Sequence, residues 1–234
     1  MGVGHSPIAR IRGRLVVSCQ APPGSPLRHP AIIAALAQCA ERGGAAGVRI
    51  DGPEDIAAVR RAVAVPIIGI FKVRGSGPVY ITPTFAEAEA VVRSGADIVA
   101  AQATRERGMH GTPLADLVAR IHAELAAPVM ADVSTVDEGI AAAEAGADLV
   151  ATTMAGYTPH SRALPGPDLD LVRDLARRLP VPVVAEGRFQ TPEDAAAALR
   201  AGAWAVVVGR AITMPEAITE RFARAVADAA APRS

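Results

Sequence analysis

"EAGADLVAT" spans residues 144–152, and its pattern returns as "RSGADIVAA" at 93–101, as "RAGAWAVVV" at 200–208 and, more loosely, as "RGGAAGVRI" at 42–50. Each copy sets a glycine behind a helical stretch, where it can take the left-handed conformation that ends a helix. Each then enters a short apolar run suited to a strand buried on both faces. Gly44, Gly95, Gly146 and Gly202 stand about 50 to 56 residues apart, roughly the length of two βα units.

Between the copies lies a second strand type entered through proline: "VPIIGIF" (65–71), "APVMAD" (127–132) and "VPVVAE" (181–186). Proline suits the first residue of a strand, where it removes no central ladder bond. With "RLVVSC" (14–19) there are eight strand candidates in series. Helical stretches separate them. "PEDIAAVRRAV" (53–63) and "TPEDAAAALRAG" (191–202) open with proline and acids in the first turn. "TFAEAEAVVRSG" (84–95) and "STVDEGIAAAEAG" (134–146) start at a hydroxyl residue able to cap, and "DLDLVRDLARRLP" (168–180) starts from an aspartate. Strict alternation calls for a parallel sheet covered by helices, and eight units in so short a chain favour closure. The expected fold is α/β, a single (β/α)8 TIM barrel over residues 13–230 behind a polar lead-in at 1–12.

The 234 residues are 50% hydrophobic and carry 24 basic against 24 acidic side chains. Zero formal charge argues against a broad nucleic-acid-binding or membrane-surface face. No apolar run reaches the roughly 18 residues of a membrane span. The opening "MGVGHSPIARIRGR" lacks the apolar centre of a secretory signal, and its start reads as loosely ordered. Cys19 and Cys39 make a weak disulfide case, so a reduced, cytoplasmic setting is expected, with Cys19 a small buried hydrophobe. The five histidines show no zinc-ligand spacing, and no metal is expected.

Barrel active sites are built at the C-terminal ends of the strands. Those ends are, in order, Gln20, Arg49, Lys72, Gln102, Asp132, Thr152 with Thr153, Glu186 and Gly209. Apolar strands that end this often in polar groups converge on one mouth, although a ring of mutually neutralising ion pairs would look the same. A lysine among basic neighbours in a partly desolvated site has a lowered pKa and makes a proton carrier near neutrality. Glu186 and Asp132 supply carboxylates for acid/base work or for holding hydroxyls. After the last two strands, "EGRFQTPEDA" (186–195) and "VGRAITMPEA" (208–217) repeat Gly-Arg, a hydroxyl and Pro-Glu. Barrels often bind phosphate there, which makes Gly187, Arg188, Gly209 and Arg210 the anion candidates.

"VVSCQA" (16–21), "GGAAGVRI" (43–50), "PIIGIFK" (66–72), "YITPT" (80–84), "MADVSTVDEG" (130–139), "TTMAGYTP" (152–159), "AEGRFQTPEDA" (185–195) and "VVVGRAIT" (206–213) follow in unbroken order. Together they resemble the N-acylglucosamine-6-phosphate 2-epimerases from about residue 13 to 222. The resemblance implies a cofactor-free barrel that interconverts N-acetylmannosamine 6-phosphate and N-acetylglucosamine 6-phosphate in amino-sugar and sialic acid catabolism. It implies Lys72 as proton shuttle at C2, Glu186 opening or orienting the sugar, and Gln20, Arg49 and Asp132 holding the substrate, with Arg49 placed to stabilise an enolate. Thr153 and Tyr157 join the substrate-binding candidates, and the late glycine turns take the phosphate. A homodimer is the expected assembly.

The chain departs from the family pattern in "QATRERGMHG" (102–111). Gln102 stands where the family usually has aspartate, Glu106 and Gly108 where it has arginines, Met109 where it has proline. Met214 likewise replaces an arginine. Each lost charged hydrogen bond to substrate is worth about 1.5–3 kcal/mol, and Arg105, Arg107 or Arg210 are positioned in sequence to compensate. Alternatives are another phosphosugar as substrate, a catalytically weak phosphosugar-binding relative, and a Schiff-base aldolase acting through Lys72. Trp204 is expected to pack the last strand, His160 to be exposed and Met154 to fill space.

Overall fold

Gly44, Gly95, Gly146 and Gly202 all adopt φ between 90° and 106°, the conformation their place behind a helix requires. The computed structural model describes residues 6–75, 77–110 and 112–230. Its strands are β1 (Leu15–Cys19), β2 (Gly47–Asp51), β3 (Ile67–Ile70), β4 (Ile98–Gln102), β5 (Val129–Asp132), β6 (Leu149–Ala151), β7 (Val183–Glu186) and β8 (Ala205–Val208). All pair in parallel in chain order, and β8 closes on β1 through Leu15–Val206, Val16–Val207 and Val17–Val208. The (β/α)8 barrel is therefore the fold.

A short α1 (Pro7–Arg10) precedes the barrel, and α2 (Pro30–Arg42), α3 (Pro53–Arg60) and α4 (Phe85–Arg93) follow β1 to β3. After β4 come α5 (Arg105–His110) and α6 (Leu114–Leu125), then α7 (Val136–Glu144), α8 (Leu169–Arg178) and α9 (Pro192–Arg200) in turn. The chain ends with α10 (Arg210–Thr213) and α11 (Pro215–Ala230). Thr84, Thr135 and Thr191 close capping boxes with Glu87, Glu138 and Asp194. Asp168 accepts from the Leu171 amide at 2.9 Å to start α8. Each cap satisfies amide donors that a helix start leaves orphaned.

Alternation along the strands sorts the core into two. Val16, Ile68, Ile70, Ile98, Ala100, Met130, Leu149, Val184 and Val207 fill the barrel interior. Their neighbours Val17, Val48, Ile50, Ile67, Val99 and Val129 face outward and pack under the helices. The floor is plugged from the lead-in. Ile11 is fully buried in the interior cluster, and Ile8 accepts from the Trp204 indole at 2.9 Å. Arg12 stacks over the same ring at 4.6 Å, so Trp204 packs the base of β8 as expected. The loosely ordered start expected of the lead-in falls on residues 1–5, outside the described residues. Cys19 is buried and Cys39 exposed, both as free thiols, and burial pushes Cys19 up to about 12. Among the described residues no helix is long and apolar enough to cross a membrane.

Gly69 sits on the outward face of β3, where a Cβ would meet Val91 at 2.5 Å and Ala96 at 2.6 Å. That closeness seats β3 against α4 and sets the height at which Lys72 emerges. Gly69→Ala is expected to lower stability by about 1–3 kcal/mol through overpacking, read as a lower urea midpoint with an unchanged slope.

Candidate active site

The inward-facing positions continue beyond the apolar interior, two residues at a time. Val16 leads to Ser18 and Gln20, Gly47 to Arg49 and Asp51, Ile70 to Lys72, Met130 to Asp132, Ala151 to Thr153, Val184 to Glu186 and Val207 to Gly209. The polar strand ends thus form the topmost layer of the barrel's own lumen. They open into a cavity of about 470 Å³ whose walls include Gln20, Arg49, Lys72, Thr153, Glu186, Gly187 and Gly209.

Arg49 lies at the centre of this layer. It is 1% exposed and Asp132 0%. Its Nη1 donates to Asp132 Oδ1 at 3.1 Å and to Thr153 Oγ1 at 3.0 Å, and it also pairs with Glu186. Its Nη2 pairs with the second Asp132 oxygen. The Thr153 hydroxyl donates to Asp132 at 2.6 Å. Burial works against the Arg49 charge, but Asp132 and Glu186 together outweigh it and hold the guanidinium protonated. Glu186 is pushed up, chiefly by burial, against the pull of Arg49. Asp132 is absent from the cavity wall: both its oxygens face Arg49 and Thr153 beneath the mouth.

Lys72 is the only lysine among 24 cationic side chains; every other one is arginine. Its backbone amide donates to Asp51 Oδ1 at 2.9 Å, and its Nζ donates to Gln20 Oε1 at 2.5 Å. Gln20 is itself held through its Nε2 on Ser18 Oγ at 2.8 Å. Burial lowers the Lys72 pKa first, helped by the Arg49 and Arg74 charges and opposed by Asp51 and Glu186. Arginine cannot give up its proton near neutrality, whereas a desolvated lysine can. The one position where this chain keeps a titratable amine is therefore the one that faces the mouth.

Cations collect on the β7–β8 side of the rim. Arg188, Arg210 and Arg221 all line the cavity, and Arg221 donates to Gln190 Oε1 at 2.9 Å. Arg188 holds φ 59°, a left-handed conformation that costs a non-glycine residue about 1–2 kcal/mol. Its Nε is buried with no hydrogen-bond partner among the described residues. Gly156 makes room for it, since a Cβ there would lie 1.8 Å from Arg188 Nη1. This gives the Gly-Tyr-Thr-Pro stretch a physical reason. Gly187 follows suit at φ 114°, while Gly209 has an ordinary negative φ and instead allows close approach to Ser18, 3.3 Å from where a Cβ would be. Tyr157 is 62% exposed at the edge of the same cavity. Met154 is buried filler, and Thr158 bonds Ser161 within its loop and Ser134 in the connection after β5.

Two expected compensations are corrected. Arg107 is turned inward and buried, bonded to backbone carbonyls, and Arg105 points to Asp137 on α7 at 3.5 Å. Neither lines the cavity; Arg210 does. Met214 also stands on the wall, with Arg221 from α11 in the same rim. Sequence reasoning missed Asp51, Arg74, Tyr80 and Arg221 as wall residues. The alternation that places Arg49 inside also places Asp51 there, so that one was legible. Arg221 arrives from a helix whose path no local pattern discloses.

A closed barrel with its one lysine at the mouth, a buried arginine–carboxylate cluster and an arginine rim defines a (β/α)8-barrel protein with a cationic pocket at the C-terminal ends of its strands. A family model described as "Putative N-acetylmannosamine-6-phosphate epimerase" matches residues 33–228. A "Putative N-acetylmannosamine-6-phosphate 2-epimerase" of Caldanaerobacter subterraneus is 48% identical over 217 residues, 92% of either chain. Its namesake in Thermosynechococcus vestitus is 52% identical over 205 residues, 87% of this chain and 89% of that one. The solved N-acetylmannosamine-6-phosphate 2-epimerase of Clostridium perfringens superposes with a TM-score of 0.90 at 38% identity, covering 96% of this chain and 98% of that one. A thiamine phosphate pyrophosphorylase of Pyrococcus furiosus, at 18% identity and TM-score 0.61, shares the fold alone. The chain belongs to the N-acetylmannosamine-6-phosphate epimerase family.

A lysine whose folded pKa lies below its unfolded value binds fewer protons in the folded state between the two values. Its cost to stability is full below the folded pKa and vanishes as pH rises past the unfolded one. Lys72→Met is therefore expected to be more stable than the parent at neutral pH, with the gain shrinking as pH approaches about 10. Urea midpoints across that range measure it; a gain independent of pH would contradict the lowered pKa.

Proposed function

We propose that the protein epimerises C2 of N-acetylmannosamine 6-phosphate to give N-acetylglucosamine 6-phosphate. The observation that carries this is Lys72: the chain's only lysine, desolvated at the barrel mouth, between Gln20 and Asp51. The substrate follows the relatives' names. Glu186 opens or orients the sugar so that C1 presents a carbonyl. Neutral Lys72 Nζ takes the C2 proton as the C–H electron pair moves toward the carbonyl oxygen, where Arg49 faces the developing negative charge. The proton then returns to the other face of C2, and no atom is gained or lost. Asp132 acts from below, setting Arg49 and Thr153; Gln20 holds Nζ toward the substrate, with Tyr157 at the edge. The phosphate is held by Arg188, Arg210 and Arg221 with the Gly187 and Gly209 turns. Desolvation strengthens such fixed charges at the reacting atoms.

We further read the protein as cytoplasmic, in keeping with its two free thiols, and as a homodimer. Helix α11 has no buried residue and turns Phe222 and Val226, 66% and 68% exposed, to solvent. Since its first turns line the mouth, a second copy seated on it would also steady the phosphate rim. Sedimentation showing only monomer at working concentrations would remove this assembly.

Proton NMR in D2O tests the reaction. The C2 signal of N-acetylmannosamine 6-phosphate should vanish as the gluco epimer appears, and Lys72→Met should slow both by about 10²–10⁴-fold. Folded parent protein that exchanges no C2 proton would overturn the proposal and turn the search to other phosphosugars. Borohydride trapping of substrate on Lys72 without exchange would favour the aldolase.

A further inference from the structure

The β3–α4 connection that carries Lys72 is not free-standing. Residues 80–82 double back beside it: Val73 N donates to Tyr80 O at 2.9 Å, Thr82 N to Phe71 O at 2.8 Å, and Lys72 and Ile81 form an antiparallel bridge. The turn-back needs Thr82 at φ 45°, which is unfavourable for a β-branched residue and persists only where its surroundings over-determine it. Thr82 is fully buried. Its hydroxyl donates to Ala100 O at 2.7 Å and accepts from Phe71 N at 3.1 Å.

Two residues behind this segment hold the rest. Gln102 is 1% exposed and uses both ends of its amide. Its Oε1 accepts from Tyr80 N at 3.1 Å, and its Nε2 donates to Pro78 O at 2.8 Å and Thr104 Oγ1 at 2.9 Å. Its own backbone amide donates to Ile81 O at 3.0 Å. Arg107 is 2% exposed. Its Nη2 donates to Thr82 O at 2.9 Å, its Nη1 to Pro83 O at 2.9 Å and Thr112 O at 3.2 Å, and its Nε to Gln102 O. Among the described residues no carboxylate is within ion-pair reach of this guanidinium, and burial alone pushes it down to about 10. A buried cation spent wholly on backbone carbonyls is costly, and only the arginine fork can span four acceptors at once.

We propose that Gln102 and Arg107 are positioning residues: they clamp residues 78–83 from behind and so fix Lys72 and Tyr80 at the mouth. Neither side chain touches the cavity, so the pair acts on the reaction through the segment it grips. An aspartate at 102 could accept from the Tyr80 amide but could not also donate to Pro78 O, so glutamine suits this chain's loop. The inference rests on the proposed epimerase for its kinetic readout, but the clamp itself has a readout that needs no substrate.

The test uses Gln102→Ala and Arg107→Lys, measured for turnover, for backbone hydrogen exchange at Val73 and Thr82, and for the pH dependence of reductive methylation at Lys72. Misplacement of a reacting group by about 1 Å can cost roughly 100-fold. Both variants should therefore lose on the order of 10–100-fold in kcat with KM changed less than about threefold. Exchange at Val73 and Thr82 should quicken, and the methylation profile should move. A merely structural role lowers the melting temperature but leaves kcat per folded molecule and the methylation profile as in the parent; that result overturns the proposal. Unchanged amide exchange overturns it too. Should Arg107→Lys fail to fold, Gln102→Ala decides, since it removes only neutral contacts. If the parent shows no C2 exchange the epimerase fails, while the amide exchange and Lys72 methylation profile still decide the clamp.

Discussion

A guanidinium buried under the barrel mouth is the constraint on which the rest of this structure depends. Arg49 is only 1% exposed, so its charge survives because Asp132, Glu186 and Thr153 surround it from β5, β7 and the end of β6. Removing one partner of such a buried pair costs about 3–5 kcal/mol. Three strands on the far side of the lumen are thus tied to β2 at one height. The same knot sets the electrostatics above it. Most of Arg49 is neutralised from below, and Glu186 is left desolvated with a raised pKa.

What remains at the surface of that knot is a division of labour between two kinds of cation. Arginines do the permanent work: Arg49 binds carboxylates, Arg107 binds carbonyls, and Arg188, Arg210 and Arg221 give the rim its positive charge. Lysine occurs once, at the mouth, where the proposed reaction has a proton leave and return. The chain spends stability there, in the desolvated amine of Lys72 and in the left-handed backbone of Thr82 and Arg188. Of the three left-handed non-glycine residues among the described ones, Thr82 and Arg188 lie around the mouth, and the third, Ala126, ends α6.

Most of the fold was legible because it is written in short-range patterns. The repeated glycine-to-strand segments, the proline-entered strands and the Thr caps each depend on residues within one turn or one strand. Lys72, Gln20, Arg49 and Glu186 were legible for a related reason, since strand ends converge in any barrel that closes. The 102–109 segment was not. Its composition suggested stray cations near a substrate, but Arg107 is captured by carbonyls of Thr82 and Pro83, some 25 residues earlier in the chain. Arg221 was hidden because α11 returns across the mouth by a tertiary path. Helix α2 begins at His29 and Pro30 with no acid in its first turn, and α6 begins behind Pro113 with no side-chain cap, so neither carried the start signals of the others.

The most direct measurement is the ionisation of Lys72 itself. Protein grown on lysine labelled at Nζ gives one side-chain signal, because the sequence holds one lysine, and its titration needs neither assignment nor substrate. A midpoint well below the ordinary lysine value of about 10.4 is the expected result, and it should move when Glu186→Gln removes a facing carboxylate. A midpoint at or above that value would mean a permanently charged amine, and Lys72 would then be a substrate anchor rather than the group that carries the proton.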